Sequence, residues 1–344
     1  MRPNPARSPH SAPRPRWLRY IVLVVAMHAV GIAFLLSKAG RYPQLIGFGF
    51  LAYTLGLRHA FDADHIAAID NTVRKMIERG EESSGVGFFF SLGHSAVVCA
   101  MAIVTAFSAT LITDHVPQLR AVGGIVSTSV SGVFLILMGL LNLYVWLDIY
   151  RSFRKIRRGE VPEEHAHDIL TGGFFARLFG PLYRLVSKSW HVFPIGVLFG
   201  FSFDTASEIA LFSVAATAAS QTMPLGVILS LPLLFAAGMS VMDTLDGIFM
   251  TTAYDWAFST PMRKIYYNLS ITGLSVAAAL FIGVVEIAQL ITSKLGLHGG
   301  GWSLVQALDF SKLGYLLVAL LVACWLVSIG LWKLLRLDAT AEVS

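Results

Sequence analysis

The chain has 344 residues, 55% of them hydrophobic and only 14% charged, with a formal net charge of +5. A soluble protein carries about 25% charged residues, so this deficit and a mean hydropathy of +0.67 exclude an ordinary water-soluble domain. The basic excess gathers in a few short segments instead of a stripe interleaved with exposed aromatics, which argues against a nucleic-acid partner and for membrane topology.

In chain order, residues 1–16 are rich in Pro and Arg and read as a disordered basic cytoplasmic tail. The apolar run Trp17–Leu36 is long enough to span a bilayer and lacks a small-residue cleavage site, so it reads as a retained first helix. Leu45–Asp70, Val86–Thr110 and Ala121–Leu147 complete a first transmembrane half over residues 17–147. Residues 148–191 form a basic cytoplasmic linker, with an amphipathic segment expected at Leu170–Ser187. His165 and His167 in that linker read as solvated side chains. A second half over residues 192–336 holds Val192–Ala219, Leu225–Phe258, Asn268–Ile291 and Leu313–Trp332, before a cytoplasmic tail at 337–344. The sixth segment is long for one span, and Pro232 and Gly238 predict a kink or break there. Cys99 and Cys324 both lie in apolar runs and suggest neither a disulfide framework nor a thiolate site.

The expected fold is therefore an all-α polytopic membrane protein of about eight transmembrane helices in two four-helix halves. Charge tests the count: with both termini inside, 20 Lys/Arg fall in cytoplasmic segments and 5 in outer loops, and the remaining basic residue is Arg58 within the second helix. The halves also echo each other. Gly56–Asp62 followed by His65-Ile-Ala67 resembles Gly200–Asp204 followed by Glu208-Ile-Ala210, and Phe90–Ser95 resembles Phe235–Ser240. Because the two segment pairs cross in opposite directions, the echo predicts an inverted repeat, a common transporter plan.

Chemistry is carried by polar groups inside the apolar runs. The second segment holds Arg58, His59, Asp62, Asp64, His65 and Asp70, and the third holds His94. Asp204 and Glu208 lie in the fifth, Asp243 and Asp246 in the sixth. Seven acids facing lipid near mid-membrane would cost on the order of 20 kcal/mol, so they must line a protein interior or cavity, be paired or protonated, or hold a cation. At about 100° per residue, His59, Asp62, His65 and Asp70 share one side of a straight helix and Asp64 lies opposite most of them. Either that helix is distorted or Asp64 pairs elsewhere. Asp204 and Glu208 share a face, as do Asp243 and Asp246. Imidazole with carboxylate suits divalent nickel, cobalt, zinc or iron(II). Calcium and magnesium prefer oxygen alone, and copper(I) prefers sulfur.

These residues fall into motifs. Arg58-His-Ala-Phe-Asp-Ala-Asp-His-Ile66 resembles the signature of the nickel/cobalt transporter family, the nickel permeases, in which His, four residues, Asp and His correspond here to His59, Asp64 and His65. Leu92–Val98, Phe203–Ile209 and Gly238–Gly247 resemble the family's third-, fifth- and sixth-helix motifs. Ala96 and Ser207 stand where Thr is usual and Ser202 where Gly is usual, which leaves every ligand type intact. The resemblance implies uptake of Ni²⁺ and/or Co²⁺ across the cytoplasmic membrane by a secondary carrier, with the second-helix histidines and aspartates binding the ion. The expected ligands are His59, Asp62, Asp64, His65 and His94. Asp204, Glu208, Asp243, Asp246, Asp70 and Arg58 are expected to support them or to move protons. No cofactor other than the transported ion is implied. No phosphate-cradling Walker motif occurs, so neither ATP hydrolysis nor an ATPase subunit is expected. Export of the same metals stays open. An intramembrane metal-dependent hydrolase is the alternative from another class, but the chain has no HExxH motif.

Overall fold

A computed structural model describes residues 16–107, 116–157, 186–201, 206–220, 223, 225–257, 272–297 and 299–334. Asp204, His165, His167 and all of Leu170–Ser187 except its last two residues lie outside this set. Every regular element among the described residues is helical: α1 (Leu18–Ala39), α2 (Gln44–His59), α3 (Ala63–Glu78), α4 (Val86–Phe107), α5 (Val116–Arg157), α6 (Phe193–Phe199), α7 (Ala206–Ser220), α8 (Leu225–Ile228), α9 (Ser230–Ala257), α10 (Gly273–Leu295), α11 (Gly301–Gln306) and α12 (Phe310–Leu334). A 3₁₀ turn, Ser189–Val192, leads into α6.

Among the described residues, four helices are long and apolar enough by themselves to cross a membrane, at Leu18–Ala39, Val86–Val104, Ser230–Tyr254 and Gly273–Leu295. Shorter apolar stretches occupy Thr128–Tyr144, Ser189–Phe199 and Lys312–Val327. The surface is inverted relative to a soluble protein. Val25, Phe50, Val284, Leu316 and Val327 are exposed, while His59, His65, Asp70, Arg74, His94, Glu208 and Asp243 are buried. Several apolar helices with polar groups turned inward make this a multi-pass membrane protein.

The helix limits depart from the sequence expectation in four instructive places. The second apolar run is two helices. Ala60–Asp62 leaves the helix, with Phe61 N donating to Arg58 O and Asp62 N to His59 O, both at 3.0 Å. Asp62 then sits in extended backbone (φ −66°, ψ 140°) at the N-cap of α3, a position that favours Asp. Gly314 of α12 seats against this break, where a Cβ would collide with Phe61 O. The fifth run is likewise interrupted, α6 ending at Phe199 and α7 beginning at Ala206.

The sixth run breaks at Leu229 instead of at Pro232, and α9 passes unbroken through both Pro232 and Gly238. Pro232 falls in the first turn of α9, where a backbone N–H has no intrahelical acceptor to lose. The fourth run is longer than expected. At 42 residues α5 measures about 63 Å, roughly twice the hydrocarbon thickness, so it continues to Arg157, inside the predicted linker.

Two crossings hold the centre together. α2 meets α9 where Gly56 abuts the Phe235 carbonyl and Gly238 abuts the Tyr53 carbonyl. α4 meets α6 where Gly93 abuts the Phe193 carbonyl and Gly196 abuts the Phe90 carbonyl. A methyl group at any of these glycines would strike backbone, which cannot give way, so the helices pack main chain to main chain.

Candidate metal site

The break after α2 shapes the site. It ends α2 on His59 and restarts the chain so that His65 lies in the first turn of α3, while α4 brings His94 from the side. The three imidazole centroids form a nearly equilateral triangle: 4.9 Å from His59 to His65, and 4.8 Å from His94 to each of them. One ring nitrogen from each lies within 4.8 Å of the other two. All three side chains are buried.

Carboxylates surround the triangle. Glu208, in the first turn of α7 and fully buried, places Oε1 3.1 Å from His94 Nε2 and 3.8 Å from His59 Nε2. His59 Nε2 and His94 Nε2 are themselves 2.9 Å apart. Asp62 Oδ2 lies 3.3 Å from His59 Nδ1, and Asp243 Oδ2 of α9 lies 3.5 Å from His65 Nδ1. The second contact is electrostatic and not a formed hydrogen bond. Both His65 nitrogens, His94 Nδ1 and both Asp243 oxygens lack a hydrogen-bond partner among the described residues. Buried polar atoms are ordinarily satisfied. Buried polar atoms without partners, gathered in and beside the triangle, suit a site that a cation occupies.

Apolar walls close the site. Phe90 stands edge-on to His65 with ring centroids 4.9 Å apart, and Phe235 lies 5.6 Å from His59. One turn away, Ser91 and Ser240 hydrogen-bond at 2.8 Å and tie α4 to α9.

The structure brings together His59, Asp62, His65, His94, Glu208 and Asp243. Asp64 is set apart: it is partly exposed, and its Oδ1 accepts a hydrogen bond from the His65 backbone N at 3.0 Å. Arg58 is exposed and turned away. Asp246 is half-buried one turn past Asp243.

Asp70 belongs to a second cluster, where it accepts hydrogen bonds from Tyr254 (2.7 Å) and Ser275. Sequence reasoning missed Tyr254, Ser275 and the two phenylalanines. Phe90 and Phe235 did carry a signal, since each stands three residues before a glycine in the two echoing segments.

A profile of high-affinity nickel-transport proteins matches residues 45–331, which include every candidate residue above. The chain belongs to the high-affinity nickel-transport family. Among its relatives, the nickel transporter NixA of Staphylococcus aureus is 49% identical over 94% of this chain and 96% of its own length. The high-affinity nickel-transport protein NixA of Helicobacter pylori is 49% identical over 92% of this chain and 97% of its own. The cobalt transport protein NhlF of Rhodococcus rhodochrous is 39% identical over 91% of each chain. No solved structure matches. Membership of this nickel-transport family bears out the resemblance drawn from the four motifs.

Proposed function

We propose that this chain is a secondary carrier that takes Ni²⁺, Co²⁺ or both into the cell across the cytoplasmic membrane, through a mid-membrane histidine–carboxylate site. The observation that carries this reading is the buried triangle of His59, His65 and His94 with Glu208 at its edge. Its donors are imidazole nitrogen and carboxylate oxygen without sulfur, a set suited to Ni²⁺ and Co²⁺. Relatives named for nickel and for cobalt agree with that donor set.

Eight spans follow if α2 with α3, α6 with α7, and α8 with α9 each make one crossing. The positive-inside tally then keeps both termini in the cytoplasm. An inverted repeat is supported by the reciprocal crossings. Gly56 meets Phe235 as Gly196 meets Phe90, and Gly238 meets Tyr53 and Leu57 as Gly93 meets Phe193 and Val197. In α5 and α10, Gly132 meets Ile287 while Gly283 meets Ile136. This packing pairs Gly56 with Gly196, four residues before the partner suggested by the sequence echo. Both members of the repeat carry a broken helix, and rocking one against the other would expose the site to each side in turn. Asp64, Asp70, Asp204 and Asp246 are the remaining acids of the seven and are available for proton coupling.

The test is radiolabelled nickel and cobalt uptake in cells expressing the chain or its His65→Ala variant at matched protein levels. Uptake should collapse in the variant, and near-normal uptake would reject the site. Comparing total cellular metal with and without the chain separates import from export. A protonophore should abolish uptake if protons drive it.

A further inference from the structure

We infer that the carboxylates around the histidine triangle divide their work: Glu208 binds the metal ion directly, whereas Asp62 and Asp243 orient imidazoles and do not touch it. This rests on the site reading above and reverses the sequence-based expectation, which placed Asp62 among the ligands and Glu208 behind them.

Ring geometry carries the argument. The two nitrogens of an imidazole point to opposite sides of the ring. Asp62 and Asp243 both address Nδ1, of His59 and His65 respectively. A carboxylate beside Nδ1 favours the tautomer with its proton there, by charge alone at His65, which leaves the Nε2 lone pair free for a metal and puts the carboxylate across the ring from the ion. Glu208 approaches from the other side, toward the Nε2 atoms of His94 and His59.

Distances agree. Two donors each about 2.1 Å from one ion and at a right angle to each other stand about 3 Å apart. The His59 Nε2–His94 Nε2 separation is 2.9 Å and that from His94 Nε2 to Glu208 Oε1 is 3.1 Å. A single imidazole nitrogen carries at most one proton, so His94 Nε2 cannot satisfy both neighbours as a donor. One shared cation would satisfy all three atoms.

The division has a consequence for transport. The three imidazoles come from α2, α3 and α4, and the one carboxylate ligand comes from α7, just after the break in the fifth apolar run. Movement of the second half would withdraw Glu208 and open the coordination sphere, while Asp62 keeps the His59 ring aligned from within its own half.

The experiment uses the purified full-length chain in detergent, titrated with Ni²⁺ and Co²⁺. Metal-edge X-ray absorption counts imidazole ligands, and infrared difference spectra record the carboxylate that changes on binding. The wild type should show three imidazoles and one perturbed carboxylate. Glu208→Gln should lose the carboxylate signal. Asp62→Asn and Asp243→Asn should keep it and keep three imidazoles, with affinity reduced about 10- to 100-fold, the usual effect of losing an outer partner. Asp243→Ala should bind more weakly than Asp243→Asn, because the amide keeps an oxygen dipole facing Nδ1.

A carboxylate signal that survives in Glu208→Gln and vanishes in either asparagine variant would overturn the division while leaving the histidine site intact. A wild-type spectrum without imidazole would instead remove the site itself, and the division with it. Either aspartate variant makes the distinction alone, so one that fails to fold leaves the other to decide.

Discussion

Two polar clusters are buried beside α3, and they differ in one respect that separates structure from function. Midway along the helix, Asp70 is satisfied: Tyr254 of α9 and Ser275 of α10 both donate to it. Next to it Asn71 donates to Ala67 O at 2.8 Å and accepts from Asn142 of α5 at 2.7 Å. At the near end, His65 has no hydrogen-bonded partner for either nitrogen, and Asp243 has none for either oxygen. Both clusters are buried. The first closes on itself and so ties α3 to α5, α9 and α10. The second keeps unpartnered atoms, and buried polar atoms left unpartnered cost stability unless a ligand satisfies them.

That contrast is sharpest in substitutions that should separate activity from stability. The largest effect is expected for His94→Ala, which removes the imidazole bridging His59 and Glu208. Metal affinity should fall on the order of 100-fold or more with little change in the thermal midpoint, measured by isothermal titration and by thermal denaturation in detergent. A large loss of stability with affinity intact would erase the distinction between the clusters.

Next is Asp70→Ala. It strands the Tyr254 and Ser275 hydroxyls, while the buried Arg74 keeps its ion pair with Glu78 at 3.2 Å. About 3 kcal/mol of stability should be lost, while the protein that remains folded binds nickel as the wild type does. Tyr254→Phe removes one donor to Asp70 and should cost about 1 kcal/mol, again without touching affinity. Ser91→Ala breaks the Ser91–Ser240 bridge one turn from the triangle and is the smallest, at or below about 1 kcal/mol. If Ser91→Ala lowered affinity as strongly as His94→Ala, the boundary drawn between support and site would be misplaced.

The sequence showed much of the site because lipid makes polar residues conspicuous: an acid or imidazole in an apolar run has few permissible uses. His59, His65, His94 and the nearby carboxylates stood out for that reason. Their geometry was not legible. A straight helix spreads His59 and His65 about 120° apart and two turns along the axis, and only the break at Ala60–Asp62 folds them onto one point. Asp64 and Arg58, adjacent to ligands in sequence, do not join the triangle: Asp64 Oδ1 accepts from the His65 backbone N, and Arg58 is exposed. Pro232 misled in the opposite sense, since its effect depends on whether it falls inside a helix or in its first turn, which neighbouring packing decides.

Composition and periodicity thus determined on their own that the chain is helical, lies in a membrane and concentrates imidazole and carboxylate in its interior, because each follows from the local cost of exposing a group to the wrong solvent. The choice of residues that meet belongs to the tertiary structure. Glycine contacts that let α2 lie against α9 and α4 against α6 help bring together groups remote in the chain: Ser91 meets Ser240 across 149 positions, and Glu208 comes near His59. No local rule of sequence contains that distance.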